Sequence, residues 1–341
     1  MTLLFIDGFD HYATADIAKK WNSSGATVSI LPTGGRRGGG AVRHTSSTPG
    51  TTKTIPVATS FVLGFAVKFN TFTILPILSL LDAGTVQCGL TVNLDGTLSV
   101  VRGTSTAVSG GTSTYTFTAG EWVYVEWKVT IADSIGADTC KVRVNGVDVI
   151  TVATGQDLKA STAATANQVR LGPSTNLSTN VWEFDDFYIC DQSGSTNNNF
   201  LGDIRIDTLY PTSDGTYSQF TPSTGTSHFA LVDETAPNTT DYNDGSAVND
   251  RDSYGIGNLA ALTSQTVYGV QVNAAILKDD AGAKSAAVFV RSSSTNGDGA
   301  STALGTSQAY VCQVFETDPN GAIAWTETSV NAMEAGVKVT A

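Results

Sequence analysis

The segment Trp122-Val-Tyr-Val-Glu-Trp-Lys-Val-Thr130 places large apolar side chains at every second position, with mostly polar side chains between them. This period of two is typical of a β-strand that packs one face on a core. Asn145-Gly146 and Asp95-Gly96 each separate two further apolar runs. Such dipeptides tolerate a positive φ, so each one predicts a hairpin whose strands flank it directly.

The rest of the chain has the composition of strands and turns. Charged residues make up 15% of it, and its apolar runs are short and rich in Val, Ile, Phe and Tyr. The 341 residues are enough for two domains of about 150 residues each. We therefore predict an all-β protein with two antiparallel β-sandwich, jelly-roll-like domains in tandem.

Turn formers separate the predicted strands, and a polar run at 191–199 indicates a connection between domains. The predicted domains are 1–192 and 201–341, with a linker at 193–200. The first domain is expected to hold strands at 60–69, 74–81, 87–92, 98–101, 114–117, 122–131, 140–144, 147–152, 168–171 and 181–189. The second is expected to hold strands at 201–209, 227–232, 253–256, 267–275, 285–290, 309–315 and 322–326.

The charge of the chain excludes one class of partner. A formal net charge of -12 and a pI near 4.5 oppose binding to DNA or RNA, which depends on clustered Lys and Arg. The N-terminal apolar run has no basic residue before it and is interrupted by Asp7, so we expect no secretory signal and folding in a cytoplasm. No apolar run reaches the ~20 residues that cross a bilayer, so no membrane insertion is expected.

The four cysteines, Cys88, Cys140, Cys190 and Cys312, are widely spaced and form no CxxC pair. This spacing disfavours a zinc site and a disulfide framework. Buried free thiols are the expected state.

Three groups of residues in the first domain occur in a recognisable order. They are Trp122 with Glu126-Trp127-Lys128, then Val142-Arg-Val-Asn-Gly-Val147, then Phe184-Asp-Asp-Phe-Tyr-Ile189. With the opening Asp7-Gly-Phe-Asp10, Trp21 and the glycine-rich stretch 34–43, they resemble the concanavalin A-like (laminin G-like) jelly roll. That family includes lectins, adhesion modules and endoglycanases, so the resemblance implies the fold and leaves catalysis to be judged from the residues.

Retaining glycanases of this fold use carboxylates on alternate residues of one strand, about 5 Å apart. The nearest candidates here are Glu183 and Asp185, but Phe187 stands where the third acidic residue is expected. Asp185 and Asp186 are better explained as hydrogen-bond acceptors for loop amides. We therefore predict that the chain is not an enzyme and has no catalytic residues, with a glycan-cleaving enzyme kept as the less favoured alternative.

Two further patterns are interpreted as structural. The stretch Gly34-Gly-Arg-Arg-Gly-Gly-Gly40 lacks the order of a phosphate loop, so a solvated turn is expected, with its arginines available to an acidic neighbour in an assembly. His11, His44 and His228 lie near no nucleophile motif and have no metal spacing, so each is expected to be exposed or hydrogen-bonded.

The second domain carries a resemblance of its own. Leu201–Pro211, Phe220–Ser223, Val232–Glu234 and Thr240–Tyr242 occur in the order seen in bacteriophage structural proteins with a laminin G-like first domain, and the chain closes on Ile323-Ala-Trp325-Thr and Val330–Val337. The chain thus resembles tailed-phage virion structural proteins. This resemblance implies a location in the virion, assembled in the host cytoplasm, with other virion proteins, a homo-oligomer and host surface glycans as partners.

Acidic residues gather between the strands of the second domain, and oxygen-rich loops of this kind can bind Ca²⁺. Asp233, Asp241 and Asp244 are the candidate ligands, although their spacing departs from an EF-hand. A solvated acidic loop is the favoured interpretation, so no cofactor is predicted and calcium is an open alternative.

These observations leave two classes of function. The first is a non-enzymatic virion protein that decorates the head or tail, with adhesion to host glycans as an added role. The alternative is a carbohydrate-binding or adhesion module of a bacterial protein.

Overall fold

The computed structural model describes residues 2–45, 49–133, 138–152, 155–175, 180–260 and 266–341. The chain divides into two compact units, Met1–Ile206 and Asp207–Ala341. Strands make up 49% of the structure and helices 5%, and the strands form antiparallel sheets. The predicted all-β, β-sandwich class is therefore confirmed. No helix in the described ranges is long and apolar enough to cross a membrane.

The first unit contains a short 3₁₀ helix at Thr14–Asp16, the helix α1 (Ile17–Lys20) and a series of strands. The strands are β1 (Leu3–Asp7), β2 (Val28–Leu31), β3 (Ala41–Thr45), β4 (Thr51–Ala58), β5 (Ser60–Phe69), β6 (Leu75–Asp82), β7 (Thr85–Val92), β8 (Thr97–Arg102), β9 (Thr106–Thr116), β10 (Val123–Thr130), β11 (Thr139–Val144), β12 (Val147–Val152), β13 (Ala166–Leu171) and β14 (Val181–Cys190).

These strands form two sheets. The first sheet has the order β12-β11-β10-β5-β14-β3-β2, with β1 also paired to β14, and the second sheet has the order β4-β13-β6-β7-β8-β9. The side chains between them are large and fully buried, among them Trp127, Trp182 and Phe65. In both sheets, strands from distant parts of the chain lie side by side. The core therefore depends on contacts between residues that are far apart in the sequence.

The predicted hairpins are present. Asn145 and Gly146 both have positive φ and connect β11 directly to β12, as their dipeptide predicts. Asp95-Gly96 also lies in a hairpin, but the connection from β7 to β8 spans residues 93–96, and only Gly96 of these has a positive φ. In β10, Val125, Trp127 and Val129 are fully buried, but Tyr124 and Glu126 between them are each 1% exposed, so this part of the strand is covered on both faces and not on one as its alternation predicted.

Strand β14 contains a bulge. Its pairing with β5 shifts between Asp185 and Tyr188, and Asp186 has φ +49°. Across the bulge, the Tyr188 ring covers Gly64, where any Cβ would collide with it. The bulge lets the buried Tyr188 donate its hydroxyl hydrogen to Glu126 at 2.7 Å, while Phe187 packs against Trp21 and Phe5.

The second unit contains a 3₁₀ helix at Phe229–Leu231, the helix α2 (Glu327–Asn331) and further strands. The strands are β15 (Pro211–Ser218), β16 (Thr221–Pro222), β17 (Asn243–Asp244), β18 (Arg251–Ile256), β19 (Val270–Ile276), β20 (Ser285–Ser292), β21 (Thr295–Asp298), β22 (Thr302–Ala303), β23 (Ala309–Phe315), β24 (Thr317–Asp318), β25 (Ile323–Ala324) and β26 (Glu334–Val339). One sheet runs β15-β18-β26-β20-β21, and β19 pairs with β23 to form a separate ribbon.

The core of the second unit joins this sheet and ribbon. Val288 and Val290 of β20 lie in one cluster with Val272 of β19 and Val311 of β23. Trp325, Val330 and Met333 from the closing segment complete this cluster, and the Trp325 indole donates a hydrogen bond of 2.8 Å to the Phe315 carbonyl.

Two predicted strands of the second domain are wrong. Residues 201–209 form no strand, because the amides of Leu201, Gly202 and Ile206 donate to side chains of the first unit instead of to a neighbouring strand. Residues 227–232 contain the 3₁₀ helix, whose first amide, that of Phe229, donates to Asp214. Along the chain, the boundary between the two compact units lies after Ile206, later than the predicted linker.

Candidate functional site

The second sheet of the first unit presents a polar face away from the core. Antiparallel partners share a face, and the register pairs Arg170 of β13 with Ser79 of β6 on one side and with Thr52 of β4 on the other. A Cβ at Gly89 would lie 3.3 Å from the Ser79 hydroxyl, so Gly89 of β7 lies on this face too. We call this surface the Arg170 face.

The alternation of β13 explains how the sequence produces this face. In the run Ala166-Asn-Gln-Val-Arg-Leu171, Val169 and Leu171 are fully buried and pair with Leu80 and Leu78. Arg170, between them, must then point away from the core. Thr91 and its cross-strand partner Ser99 extend the same face along β7 and β8.

Arg170 has no partner among the described residues. It makes no hydrogen bond and no ion pair there, and its Nε is buried without a partner. Burial lowers the pKa of its guanidinium from the usual value, and no neighbouring charge opposes that effect. An arginine remains protonated despite such a shift, so this face carries a fixed positive charge.

The other arginines of the described ranges are engaged. Their partners are carboxylates for Arg36, Arg37, Arg43, Arg102, Arg143 and Arg251, and hydroxyl, amide and carbonyl oxygens for Arg291, while Arg205 also has a partner. In a chain of net charge -12, an arginine without any partner among the described residues is therefore a distinctive feature.

The hydroxyls beneath this guanidinium have unused hydrogen-bonding capacity. Ser79 is 0% exposed and Thr91 is 5% exposed, and neither hydroxyl has a partner in the described part of the chain. A buried polar group without a partner costs roughly 1–3 kcal/mol. Such groups are therefore expected to bind water or a ligand with hydroxyl groups.

A loop closes one end of this face. The Gln87 carbonyl oxygen Oε1 accepts from the amides of Ala160 and Ser161, at 3.1 and 3.2 Å, and its Nε2 donates to the Ser161 hydroxyl at 2.6 Å. Arg102 pairs with Asp157 and donates to the Lys159 carbonyl. The loop is thus fixed to β7 and β8.

The first sheet carries the carboxylates that were considered for catalysis. Glu183 is 4% exposed and forms ion pairs with Arg43 at 2.7 Å and with Lys68 at 2.5 Å, and Lys68 also lies over the Trp122 ring. A nucleophile must reach its substrate freely, so a buried carboxylate held between two cations is poorly placed for that role.

Asp185 and Asp186 form a coupled buried pair beside the glycine-rich loop. Asp185 accepts from the amides of Arg36 at 2.8 Å and Asp186 at 2.7 Å, as expected for a short carboxylate that binds loop amides. Burial, followed by the charge of Asp186, raises the pKa of Asp185 to about 8. Burial also raises the pKa of Asp186 to about 6, with the Ile206 amide and Arg36 opposing the shift.

The glycine-rich loop at 34–40 is not the solvated turn that its composition predicted. Arg36 lies over the Tyr124 ring, approaches Asp186 at 3.7 Å and pairs with Asp203, which Arg37 also contacts. The acidic neighbour expected for these arginines is therefore supplied by the same chain.

The opening motif forms a buried network. Asp7 is 1% exposed and accepts from the Trp21 indole at 2.8 Å and from the Tyr12 hydroxyl at 2.7 Å, with Lys20 at 3.1 Å. Burial alone would raise the pKa of Asp7, but Lys20, His11, the Tyr12 hydroxyl and the Phe9 amide hold it below the usual value. This network fixes the N-terminal strand and offers no accessible group.

The histidines differ from one another. His44 is buried, with neither ring nitrogen hydrogen-bonded, and burial lowers its pKa to about 3, so the expectation of an exposed or hydrogen-bonded residue is wrong there. His228 in the second unit is hydrogen-bonded through Nδ1 to Asp252 at 2.8 Å, and Asp252 also accepts from the Tyr254 hydroxyl.

The calcium candidates of the second unit lie in different local surroundings. Burial, and then the charges of Asp241 and Asp233, raise the pKa of Glu234, which places these carboxylates near one another. Asp244 pairs instead with Thr221 in the small β16–β17 ladder. Within the described ranges, no group of three or more His, Cys, Asp or Glu side chains could hold a metal ion. Calcium at Asp233, Asp241 and Asp244 stays a prediction.

No disulfide bond joins the four cysteines, as expected from their spacing. Cys88, Cys140 and Cys190 are buried and Cys312 is partly buried. The Cys140 sulfur accepts a hydrogen bond of 3.0 Å from the Trp127 indole. None of the four contributes to the Arg170 face.

Comparison with known proteins gives structural matches only. No protein-family model matches the chain, and no curated protein matches it. Among solved structures, the cellulose induced protein Cip1 is 17% identical, with 55% of this chain and 91% of that chain covered and a TM-score of 0.37. Alginate lyase Aly36B is 11% identical, with 55% and 97% covered and a TM-score of 0.37.

Two other matches are more partial. A sialidase of Trypanosoma rangeli is 12% identical over 48% of this chain and 27% of that one, with a TM-score of 0.33. The receptor-binding domain of botulinum neurotoxin type G is 12% identical over 73% and 72%, with a TM-score of 0.34. None of these four is described as a virion protein. At such identities a match concerns the fold alone.

The comparison corrects one prediction. The chain was expected not to be an enzyme because it carries no catalytic motif. An alginate lyase and a sialidase are among the matching structures, so this exclusion is withdrawn. The search for motifs also missed Arg170. Its residue type and its place in an alternating run are visible in the sequence, but its lack of a partner among the described residues depends on the fold.

Proposed function

We propose that this chain is a carbohydrate-binding β-sandwich protein and that the Arg170 face of its first unit is the binding surface. The observation that carries the proposal is a partly exposed guanidinium without a partner among the described residues, beside the partly exposed Thr52 and the small residues Ser79 and Gly89. Sugars present hydroxyl groups that both donate and accept hydrogen bonds, which suits such a surface.

The class of ligand to test first comes from proteins of similar fold. Some of them are described as a lyase of alginate, a sialidase or a cellulose induced protein, which are statements about those proteins. For this chain, those descriptions serve only to choose the glycans that are tested first. The proposal concerns binding and leaves open whether bound sugar is also cleaved.

A glycan array followed by calorimetric titration tests the proposal. Thr52→Tyr adds bulk one strand from Arg170, whereas Ser29→Tyr adds the same bulk to a partly buried serine on the outer face of the first sheet. We expect Thr52→Tyr to weaken binding at least about tenfold, equivalent to 1.4 kcal/mol, and Ser29→Tyr to leave it unchanged. The reverse pattern would move the site to the first sheet, and failure to bind any glycan would refute the proposal.

The biological setting is a second proposal. The order of residues in the second domain, up to its closing Trp325 segment, supports a virion protein of a tailed phage that adheres to host surface glycans. Antibodies against the chain should then label purified particles at one location, and size-exclusion chromatography with light scattering should show an oligomer. A chain that labels no particle would leave a free glycan-binding module.

A further inference from the structure

We infer that the ligand of the Arg170 face carries a carboxylate, as in a hexuronate or a sialic acid, and that Arg170 binds this group. The inference rests on the proposed function and specifies its ligand class. It concerns one local contact, because the overall charge of -12 gives no long-range attraction for a polyanion.

The chemistry of Arg170 supports an anion more than a neutral sugar. A guanidinium has five donors and no acceptor, and its planar arrangement matches the two oxygens of a carboxylate. The described residues offer Arg170 no carboxylate and no carbonyl oxygen, so its donors are unused within that part of the chain. Glu183 and Asp148 do not compete with a ligand for Arg170, because each of these carboxylates already forms ion pairs with other cations.

The surroundings of Arg170 determine what else the ligand can contact. Its neighbours on this face, Thr52, Ser79 and Gly89, are all small, so no bulky side chain stands beside the guanidinium in the register. A flat pyranose ring can therefore approach with its carboxylate on Arg170 and a hydroxyl towards Thr52, which is partly exposed. No aromatic side chain occupies these positions, so the contact is polar.

A phosphate or sulfate group could bind the same guanidinium. Carboxylates occur on two kinds of sugar, the hexuronates and the sialic acids. The test therefore uses matched pairs that differ only in the acid group. They are oligogalacturonate with its carboxyl-reduced form, sialyllactose with lactose, and a sulfated with an unsulfated galactose disaccharide. Binding is measured by titration calorimetry on the full chain.

We expect one carboxylated probe to bind about 10- to 100-fold more tightly than its neutral partner, the range for a charge-assisted hydrogen-bond pair. Arg170→Gln should abolish this preference, and Arg170→Lys should retain part of it, because the charge remains but the two-pronged geometry is lost. Arg143→Gln, which alters an exposed ion pair with Asp148 on the first sheet, is the matched control and should leave the preference intact.

The outcomes separate this inference from the proposed function. Equal binding of charged and neutral partners overturns the inference and leaves carbohydrate binding in place. Preference for the sulfated probe alone overturns the carboxylate assignment. Absence of binding to every probe overturns both. Since Arg170 has no partner to lose among the residues that the structure describes, Arg170→Gln should keep the wild-type melting temperature, and a lost preference would then not reflect unfolding.

Discussion

Asp186 shows how a single residue couples backbone shape to charge. Its φ of +49° is one that asparagine tolerates as well as aspartate, and its Oδ1 accepts from the Ile206 amide at 2.8 Å. Its Oδ2 has no hydrogen bond in the described part of the chain and lies 3.7 Å from Arg36. Asn at this position keeps the backbone and the amide contact and removes the negative charge next to Asp185.

We expect Asp186→Asn to become more stable relative to wild type as the pH rises. The pKa values of Asp185 and Asp186, about 8 and about 6, lie above the usual 3.8, so the folded chain holds more protons than the unfolded chain across that window. Wild-type stability from this pair is therefore lost between about pH 4 and pH 8. Urea unfolding should show the difference between variant and wild type growing by about 1 to 3 kcal/mol across this range.

The variant must be compared with wild type at each pH, because His11 and His44 change the stability with pH in the opposite direction. Burial lowers both of their pKa values to about 3, so their contribution to stability is lost as the pH falls below 6.5. Asp148→Asn is the matched control, since the pKa of Asp148 is already lowered by Lys141 and Arg143 and its titration lies below this window. If the difference in unfolding free energy between Asp186→Asn and wild type does not change with pH, the pKa values of Asp185 and Asp186 are not raised in the folded chain.

At the scale of the element, α2 depends on its N-cap. The Thr326 hydroxyl accepts from the Ser329 amide at 3.1 Å, and the Ser329 hydroxyl accepts from the Thr326 amide at 3.0 Å. This reciprocal cap positions Val330, 3% exposed, in the core of the second unit beside Trp325.

We expect Thr326→Ala to destabilise the second unit by about 1 kcal/mol, the usual cost of a lost N-cap. Thr326→Ser retains the hydroxyl and should stay within about 0.5 kcal/mol of wild type. Thermal unfolding followed by circular dichroism measures both. Equal losses in the two variants would assign the effect to the methyl group and not to the cap.

The sequence predicted strands well where a short apolar run is bounded by turn residues. The predicted strands 60–69, 147–152 and 309–315 have the bounds of β5, β12 and β23, and β5 is buried on both faces. The run 201–209 alternates strictly and yet forms no strand, since its amides bind Glu126, Tyr188 and Asp186. Such partners, like the isolation of Arg170, arise between residues far apart in the chain.

At the scale of the whole molecule, the segment between the predicted linker and Ile206 belongs to the first unit. Glu126, 1% exposed, accepts from the Gly202 amide at 2.8 Å, and Asp203 pairs with Arg36. Removing this segment would leave buried acceptors without their donors, each at a cost of roughly 1–3 kcal/mol.

We expect a fragment of residues 1–206 to fold alone and to melt about 5 to 10 °C above a fragment of residues 1–192, given the size of the unit and the three lost hydrogen bonds to buried side chains. Differential scanning calorimetry of the two fragments measures this. A fragment 1–192 that is as stable as 1–206 would show that the segment only rests on the first unit.

The placement of tryptophan gives the two units separate spectroscopic signals. The chain has 5 tryptophans, and Trp325 is the one that lies beyond Ile206, since the others are Trp21, Trp122, Trp127 and Trp182. Trp325 is 3% exposed and donates its indole hydrogen to a carbonyl, so its environment changes sharply on unfolding. Labelling with fluorotryptophan would give the second unit a single resonance, and the unfolding of both units could be followed in one sample.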